Sequence, residues 1–316
     1  MTEPLPLESY YDVTLLSDVA LSPSGERAAF VATEYDDEED ESHASLFTVP
    51  TDRSDEPYRL ARASDANSPK WSPDGSKLGF VAAREEDVEL TVGRSEDEDE
   101  EEDEAVDSGN EDGEGDEDEE TGTGGEGPRP QLWVFDMERG GDAGQVTDRD
   151  EGVEDFDWGP DGDRVVIASR DPTDEEAEYL RERRDEDGPI EVDRLQHKFD
   201  GRGWLDDVTT YLFVVDVDAR EERRLDDAYA RGAGAVMSGP EPRWSPDGER
   251  IAFRSYRGED PDDTYVQDVY TVAPDGDDLR RVTDGDLAAE RLSWNDDDGS
   301  QLAFVGRVPD NWYVPS

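Results

Sequence analysis

Five stretches of this chain spell one motif, and a repeated motif constrains a fold more tightly than composition can. "KWSPDGSKLGF" runs from Lys70 to Phe80 and "RWSPDGERIAF" from Arg243 to Phe253. "LSPSGERAAF" occupies Leu21 to Phe30, "WGPDGDRVVI" Trp158 to Ile167 and "WNDDDGSQLAF" Trp294 to Phe304, the last with one extra turn residue. Each has an aromatic or leucine, a Pro/Asp-Gly turn and an alternating run. In a turn of this kind proline presets φ, aspartate bonds the local backbone and glycine accepts the left-handed conformation. In the runs, Leu78 and Phe80, Val165 and Ile167, Ile251 and Phe253, and Leu302 and Phe304 fall on one face, which is the period-two signature of a strand.

The rest of each unit is regular too. "SLFTVP" (45–50), "QLWVFDM" (131–137), "YLFVVDV" (211–217) and "DVYTVAPDG" (268–276) read as third strands. "PYRLAR", "GQVTDRD", "ERRLDDA" and "LRRVTDGD" read as short fourth strands. Units start near 22, 72, 159, 245 and 295. The expected fold is all-β: a β-propeller of four-stranded antiparallel blades over 18–316, incomplete, with four whole units and the start of a fifth, after an N-terminal segment at 1–17. A β-sandwich is the competing all-β solution, but sandwich strands do not repeat a motif in this way.

Outer spacings between units are 50 residues and the two inner ones 87 and 86, so two units carry insertions. The first, 95–127, holds 18 acids among the 26 residues from Ser95 to Glu120. It can bury nothing and its charges repel, so a solvated, disordered loop is expected; binding of cations or a basic partner is the functional alternative. The second, 171–189, reads as a short surface helix, with Asp174 as its cap, acids in its first turn, arginines in its last and Gly188-Pro189 as its stop.

The net charge is −58, from 89 acidic and 31 basic residues, and hydrophobic residues make up 32%. Such a balance resembles disorder, but seven Trp, eleven Tyr and nine Phe oppose that reading. Only Lys70, Lys77 and Lys198 are lysines. Acid-rich, lysine-poor surfaces keep a protein hydrated in concentrated salt, so a salt-adapted cytoplasmic protein of a halophile is expected. No basic patch is evident for phosphates, so no nucleic-acid partner is expected. No stretch approaches a membrane span and no signal peptide is visible, so no membrane partner is expected either.

No residue is nominated as catalytic, cofactor-binding or metal-ligating, and no cofactor is expected. Cysteine is lacking, and no G-x-S-x-G occurs to form a nucleophile elbow. The two histidines are His43, expected in an exposed loop, and His197, beside a strand and read as structural. Neither forms a zinc-binding pair, and the Asp-Gly turns lack the spacing of an EF-hand loop. Trp71, Trp158, Trp244 and Trp294 recur at one point of the unit and are expected in the core between blades, although an exposed row would make a stacking platform.

At the level of these motifs the chain resembles the propeller repeats shared by TolB-type proteins and the prolyl oligopeptidase family of serine peptidases. "LESYYDVTLLSDVALSPSGERAAF" (7–30) resembles the start of acylaminoacyl-peptidase and dipeptidyl-aminopeptidase-like members, and "HKFDGRGWLDDVTTYLFVVDV" (197–217) a third-blade segment of the acylaminoacyl type. The resemblance implies a cytosolic peptidase propeller that limits access to a buried nucleophile, admits short peptides and serves a C-terminal α/β-hydrolase domain. Family members have seven or eight blades before that domain. These residues show fewer blades and no hydrolase sequence, so none of the family's catalytic residues transfers, and the chain alone is expected to be inactive. Its partners are then peptides, met through the missing hydrolase domain. The alternative is a stand-alone TolB-like module that binds a protein partner on one propeller face.

Overall fold

The computed structural model describes residues 13–36, 41–62, 64–84, 128–185, 190, 192, 197–199, 203–231, 239–259, 264–295 and 299–308. The acidic insertion at 95–127 lies outside them. Unit 1 consists of β1 (Leu15–Leu21), β2 (Arg27–Asp36), β3 (Glu41–Pro50) and β4 (Tyr58–Arg62). Unit 2 has β5 (Ser64–Trp71), β6 (Lys77–Ala83), β7 (Gln131–Asp136) and β8 (Gly144–Gln145). In unit 3, β9 (Asp155–Trp158) and β10 (Arg164–Arg170) are followed by α1 (Asp174–Asp185) and a small hairpin, β11 (Lys198–Phe199) and β12 (Gly203–Trp204). Its sheet is completed by β13 (Thr210–Asp216) and β14 (Glu222–Ala230). Unit 4 has β15 (Arg243–Trp244), β16 (Ile251–Ser255), β17 (Asp268–Val272) and β18 (Arg280–Arg281), and unit 5 shows β19 (Ala288–Trp294) and β20 (Leu302–Arg307).

Four units are antiparallel four-stranded meanders and the fifth is a hairpin. The first strands of successive units touch one another from β1 through β5, β9 and β15 to β19. The sheets therefore converge at their first strands, as blades do around a propeller axis.

The turns form as their sequence dictates. In unit 2, Asp74 Oδ1 accepts from Ser72 Oγ at 2.6 Å and from the Ser76 amide at 3.0 Å, while Gly75 sits at φ 76°. Asp247 repeats this in unit 4, with Ser245 Oγ at 2.6 Å and Gly248 at φ 77°.

Apolar burial lies between blades, in four layers. Leu78, Phe80 and Trp71 face Val31 and Leu46 of unit 1, whereas Val81 and Leu132 of the same sheet face Phe156 and Trp158 of unit 3. Val165 and Ile167 pack toward unit 2, while Val166 and Ala168 pack toward unit 4. The central strands are thus apolar on both faces, and stability accumulates unit by unit, as in other stacked-repeat proteins. The face shared by Leu78 and Phe80 and their equivalents is the one turned to the preceding blade.

Three local expectations are corrected. His43 is not in a loop: it lies in β3 opposite Glu34, half-buried, because the long β2–β3 hairpin continues its pairing out to Asp36 and Glu41. The cap of α1 is Thr173 rather than Asp174. Thr173 Oγ1 accepts the Glu176 amide at 3.4 Å and Glu176 Oε2 accepts the Thr173 amide at 2.7 Å, a reciprocal capping box. Trp71, Trp158 and Trp244 are buried, but Trp294 is only partly so, packed on the outermost apolar layer. Ala303, which matches the buried Val166 and Ala252, is exposed for the same reason: among the described residues no further sheet lies on that side.

Candidate functional site: the axial wall

The residue three places before each aromatic or leucine follows a pattern of its own. Asp18, Ser68, Glu241 and Arg291 all adopt positive φ, at 53°, 52°, 50° and 56°, and none is glycine. Register shifts accompany three of them, in the β1–β2, β5–β6 and β19–β20 ladders. Left-handed non-glycine residues are uncommon, and bulges re-aim side chains. Here they form links between neighbouring units. Asp18 Oδ2 accepts the Ser68 amide at 3.3 Å. Glu241 takes the Arg291 and Leu292 amides at 2.9 Å each. In unit 3 the equivalent position is Asp155, on a strand without a bulge. There Asp157 forms the link, its Oδ2 accepting the Trp244 amide at 2.8 Å.

These first strands enclose an open cleft of about 440 Å³, lined by Asp18, Ser68, Lys70, Glu154, Asp155 and Arg243 with the Gly239-Pro240 backbone. Its charges are joined across units. Lys70 Nζ meets Asp155 Oδ1 at 2.7 Å and also donates to the Phe156 carbonyl. Arg243 Nη1 reaches Asp155 Oδ2 at 3.0 Å. Glu241 joins Arg243 at 3.3 Å to the buried Arg254 at 3.2 Å. Arg254 in turn donates to the carbonyls of Ala289 and Gly239. Burial pushes the Asp155 carboxyl up, but Lys70 and Arg243 outweigh it and hold Asp155 below the usual carboxylate range. Burial wins at Asp157, which is raised despite the same two cations. The arrangement can grip and orient a polar chain through ion pairs and backbone groups.

Sequence reasoning nominated no site residue, and this wall was missed. The signal was present, since the positions one and three before each aromatic are mostly polar, but it is hidden by the variety of residue types. His197 stacks on Trp204 at 5.8 Å between centroids and flanks the small hairpin, while His43 lies in unit 1. The two histidines are not brought together. Among the described residues no group of three His, Asp or Glu side chains is placed to hold a metal ion, and no helix is long and apolar enough to cross a membrane.

No family model matches the chain. It is 25% identical over 262 residues to the uncharacterized peptidase YuxL of Bacillus subtilis, an overlap covering 82% of this chain and 32% of that protein. The chain thus spans about a third of the length of the curated relative it matches. Among solved structures, the acylaminoacyl peptidase of Pyrococcus horikoshii superposes with a TM-score of 0.56 at 17% identity, over 89% of this chain and 34% of that one. A putative TolB from Agrobacterium tumefaciens gives 0.52 at 16%, over 95% and 73%. The β-propeller domain of the trilobed protease from Pyrococcus furiosus, described as having an open velcro topology, gives 0.50 at 15%, over 96% and 66%. The fold is that of a β-propeller.

Proposed function

We propose that this chain is the substrate-gating propeller portion of a cytosolic serine peptidase acting on short peptides. In this reading hydrolysis belongs to an α/β-hydrolase domain outside these residues. The observation that carries the proposal is the 262-residue match to a curated peptidase, of which the chain covers only 32%. The axial cleft gives the gate its chemistry. In this reading the polar wall favours an extended peptide, whose backbone groups can meet it, over a folded chain, which would protect a buried nucleophile from bulk water and unsuitable substrates. A purified sample incubated with short peptides carrying a photoreactive group should be labelled at cleft residues around Asp18 and Glu154, and should not hydrolyse chromogenic acyl-peptides. Labelling confined to the outer strands, or hydrolysis that scales with the amount of this chain through repurification, overturns the reading.

The 73% coverage of the TolB structure favours a second reading, a stand-alone module that binds a folded protein. Labelling by a folded partner, and not by short peptides, would select it.

A further inference from the structure

Unit 1 gives the axial cleft a wall of another kind. Asp18 and Val19 of β1 line it, and β1 ends its sheet, with β2 on one side and, among the described residues, no strand paired to the other. Every apolar side chain larger than alanine on β1 is exposed: Leu15, Leu16, Val19 and Leu21 stand between 50% and 69% free. Leu16 is paired with Ala32 and Leu21 with Ala28, which puts them on one face, and Val19 lies in the register break between them. Of the twelve large apolar side chains exposed among the described residues, five fall between Val13 and Leu21, so apolar exposure is gathered here and not scattered.

The other first strands do not offer the same edge. β9 and β15 have only four and two residues. β5 carries Pro69, which has no N–H to give. In β19 the Arg291 and Leu292 amides are taken by Glu241. On β1 itself the Trp71 indole takes the Ala20 carbonyl. Upstream of Ala20, among the described residues, no backbone–backbone bond from Leu15 to Val19 runs anywhere but to β2.

We propose that an extended peptide with apolar side chains binds along Leu15 to Val19 by adding a strand to β1. The proposal rests on the reading of this chain as a peptide gate and names the peptides that the gate takes. Main-chain hydrogen bonds to the free edge supply affinity for an extended backbone. Apolar side chains at alternate positions of the peptide cover Leu16, Val19 and Leu21 and supply the selection. The break at Asp18 and Val19 favours a short peptide over a whole sheet, because a bulged edge does not pair along its full length.

Fluorescence anisotropy of short labelled peptides in high salt tests this. A peptide of alternating Leu and Thr should bind the wild-type chain about tenfold more tightly than one with Asn in place of Leu. N-methylation of one alternate set of amides should weaken the Leu-Thr peptide about tenfold, and methylation of the other set should leave it nearly unchanged, since only every second N–H of an added strand faces its neighbour. Leu16→Gln combined with Leu21→Gln should weaken it about tenfold, whereas Val282→Gln, exposed in unit 4, should not. The methylated peptides need only the wild-type chain, so they decide even where the double variant misfolds. Equal loss from either methylated set, or equal binding of the Leu and Asn peptides, overturns the proposal, while photolabelling of the cleft by the same peptides leaves the gate reading standing. Failure of every short peptide to bind overturns both. Dimers that form through β1, shown by sedimentation and abolished by the double variant, give the strand to a second copy and overturn the proposal.

Discussion

The indole N–H of Trp158 donates to the backbone carbonyl of Lys70 at 2.9 Å, so the aromatic of one blade is fastened to the residue just before the aromatic of the blade behind it. The same rung recurs from Trp71 to the Ala20 carbonyl at 3.2 Å and from Trp294 to the Arg243 carbonyl at 2.9 Å. Trp244 alone turns to its own hairpin, at the Gly248 carbonyl, and there Asp157 takes the Trp244 backbone amide instead. Trp71, Trp158 and Trp294 thus both pack in an interblade layer and tie their own blade to the one before it.

Truncating a rung should separate the two roles. Trp158→Ala should cost about 3–5 kcal/mol, the range for a large aromatic lost from a core. Trp158→Phe, which keeps most of the packing and loses the N–H, should cost about 1 kcal/mol from the hydrogen bond together with a smaller packing loss. Trp294→Ala should cost less than Trp158→Ala, because Trp294 is only partly buried. Guanidinium titrations in high salt would measure all three, and equal losses at Trp158 and Trp294 would contradict the layer-by-layer account.

Gly79 tests the clearance between blades. A Cβ there would lie 2.9 Å from two ring carbons of Phe156 in the next blade. Matching positions hold Ala29, Val166 and Ala252, so unit 2 trades a side chain for the Phe156 ring. Gly79→Val should destabilise by about 1–3 kcal/mol through overpacking. Adding Phe156→Ala should recover part of that loss, so the pair is non-additive in a double-mutant cycle. Strict additivity would show that the ring moves aside freely.

Much of this was legible from the sequence because it is carried by residues with one strong local meaning. Ser-Pro-Asp-Gly can hardly be anything but a turn, and the alternation of Leu78, Phe80 and their equivalents fixed the strand faces. The left-handed positions were not legible. Asp18, Ser68, Glu241 and Arg291 share a backbone conformation but no residue type, and no glycine marks them, since the conformation is imposed by contacts with the neighbouring blade. His43 misled because acidic neighbours at 36–41 suggest a loop, whereas the cross-strand partners that extend the hairpin lie on the other side of it.

Ionic strength should control the stability of the whole array. With 89 acidic and 31 basic residues, like charges repel across the surface, and at about 1 M salt the screening length falls to roughly 3 Å. Tryptophan fluorescence across a KCl series should show the unfolding midpoint falling steadily as salt is removed. A midpoint unchanged from molar to millimolar salt would exclude adaptation to salt as the meaning of this composition.

Asp155 and Asp157 should respond to pH with opposite signs. Asp155 is held below its ordinary value of 3.8, so its contribution to stability is complete above that value and is lost as pH falls through its lower folded value. Asp155→Asn leaves Lys70 and Arg243 without their shared carboxylate and should cost about 1–3 kcal/mol at pH 7, with the gap closing toward pH 3. Asp157 is raised above 3.8 by burial, so its contribution is complete below that value and is lost as pH rises through its higher folded value. Asp157→Asn removes the penalty of ionising that carboxyl, and its amide oxygen can still accept the Trp244 amide. It should therefore match or exceed wild type at pH 7, by about 1 kcal/mol, and fall to wild-type stability or below near pH 3. Denaturant titrations from pH 3 to pH 7 at constant high salt would check both. Losses of equal sign and size at pH 7 would mean that the two carboxylates act as a single ion-pair network and not as the opposed pair described here.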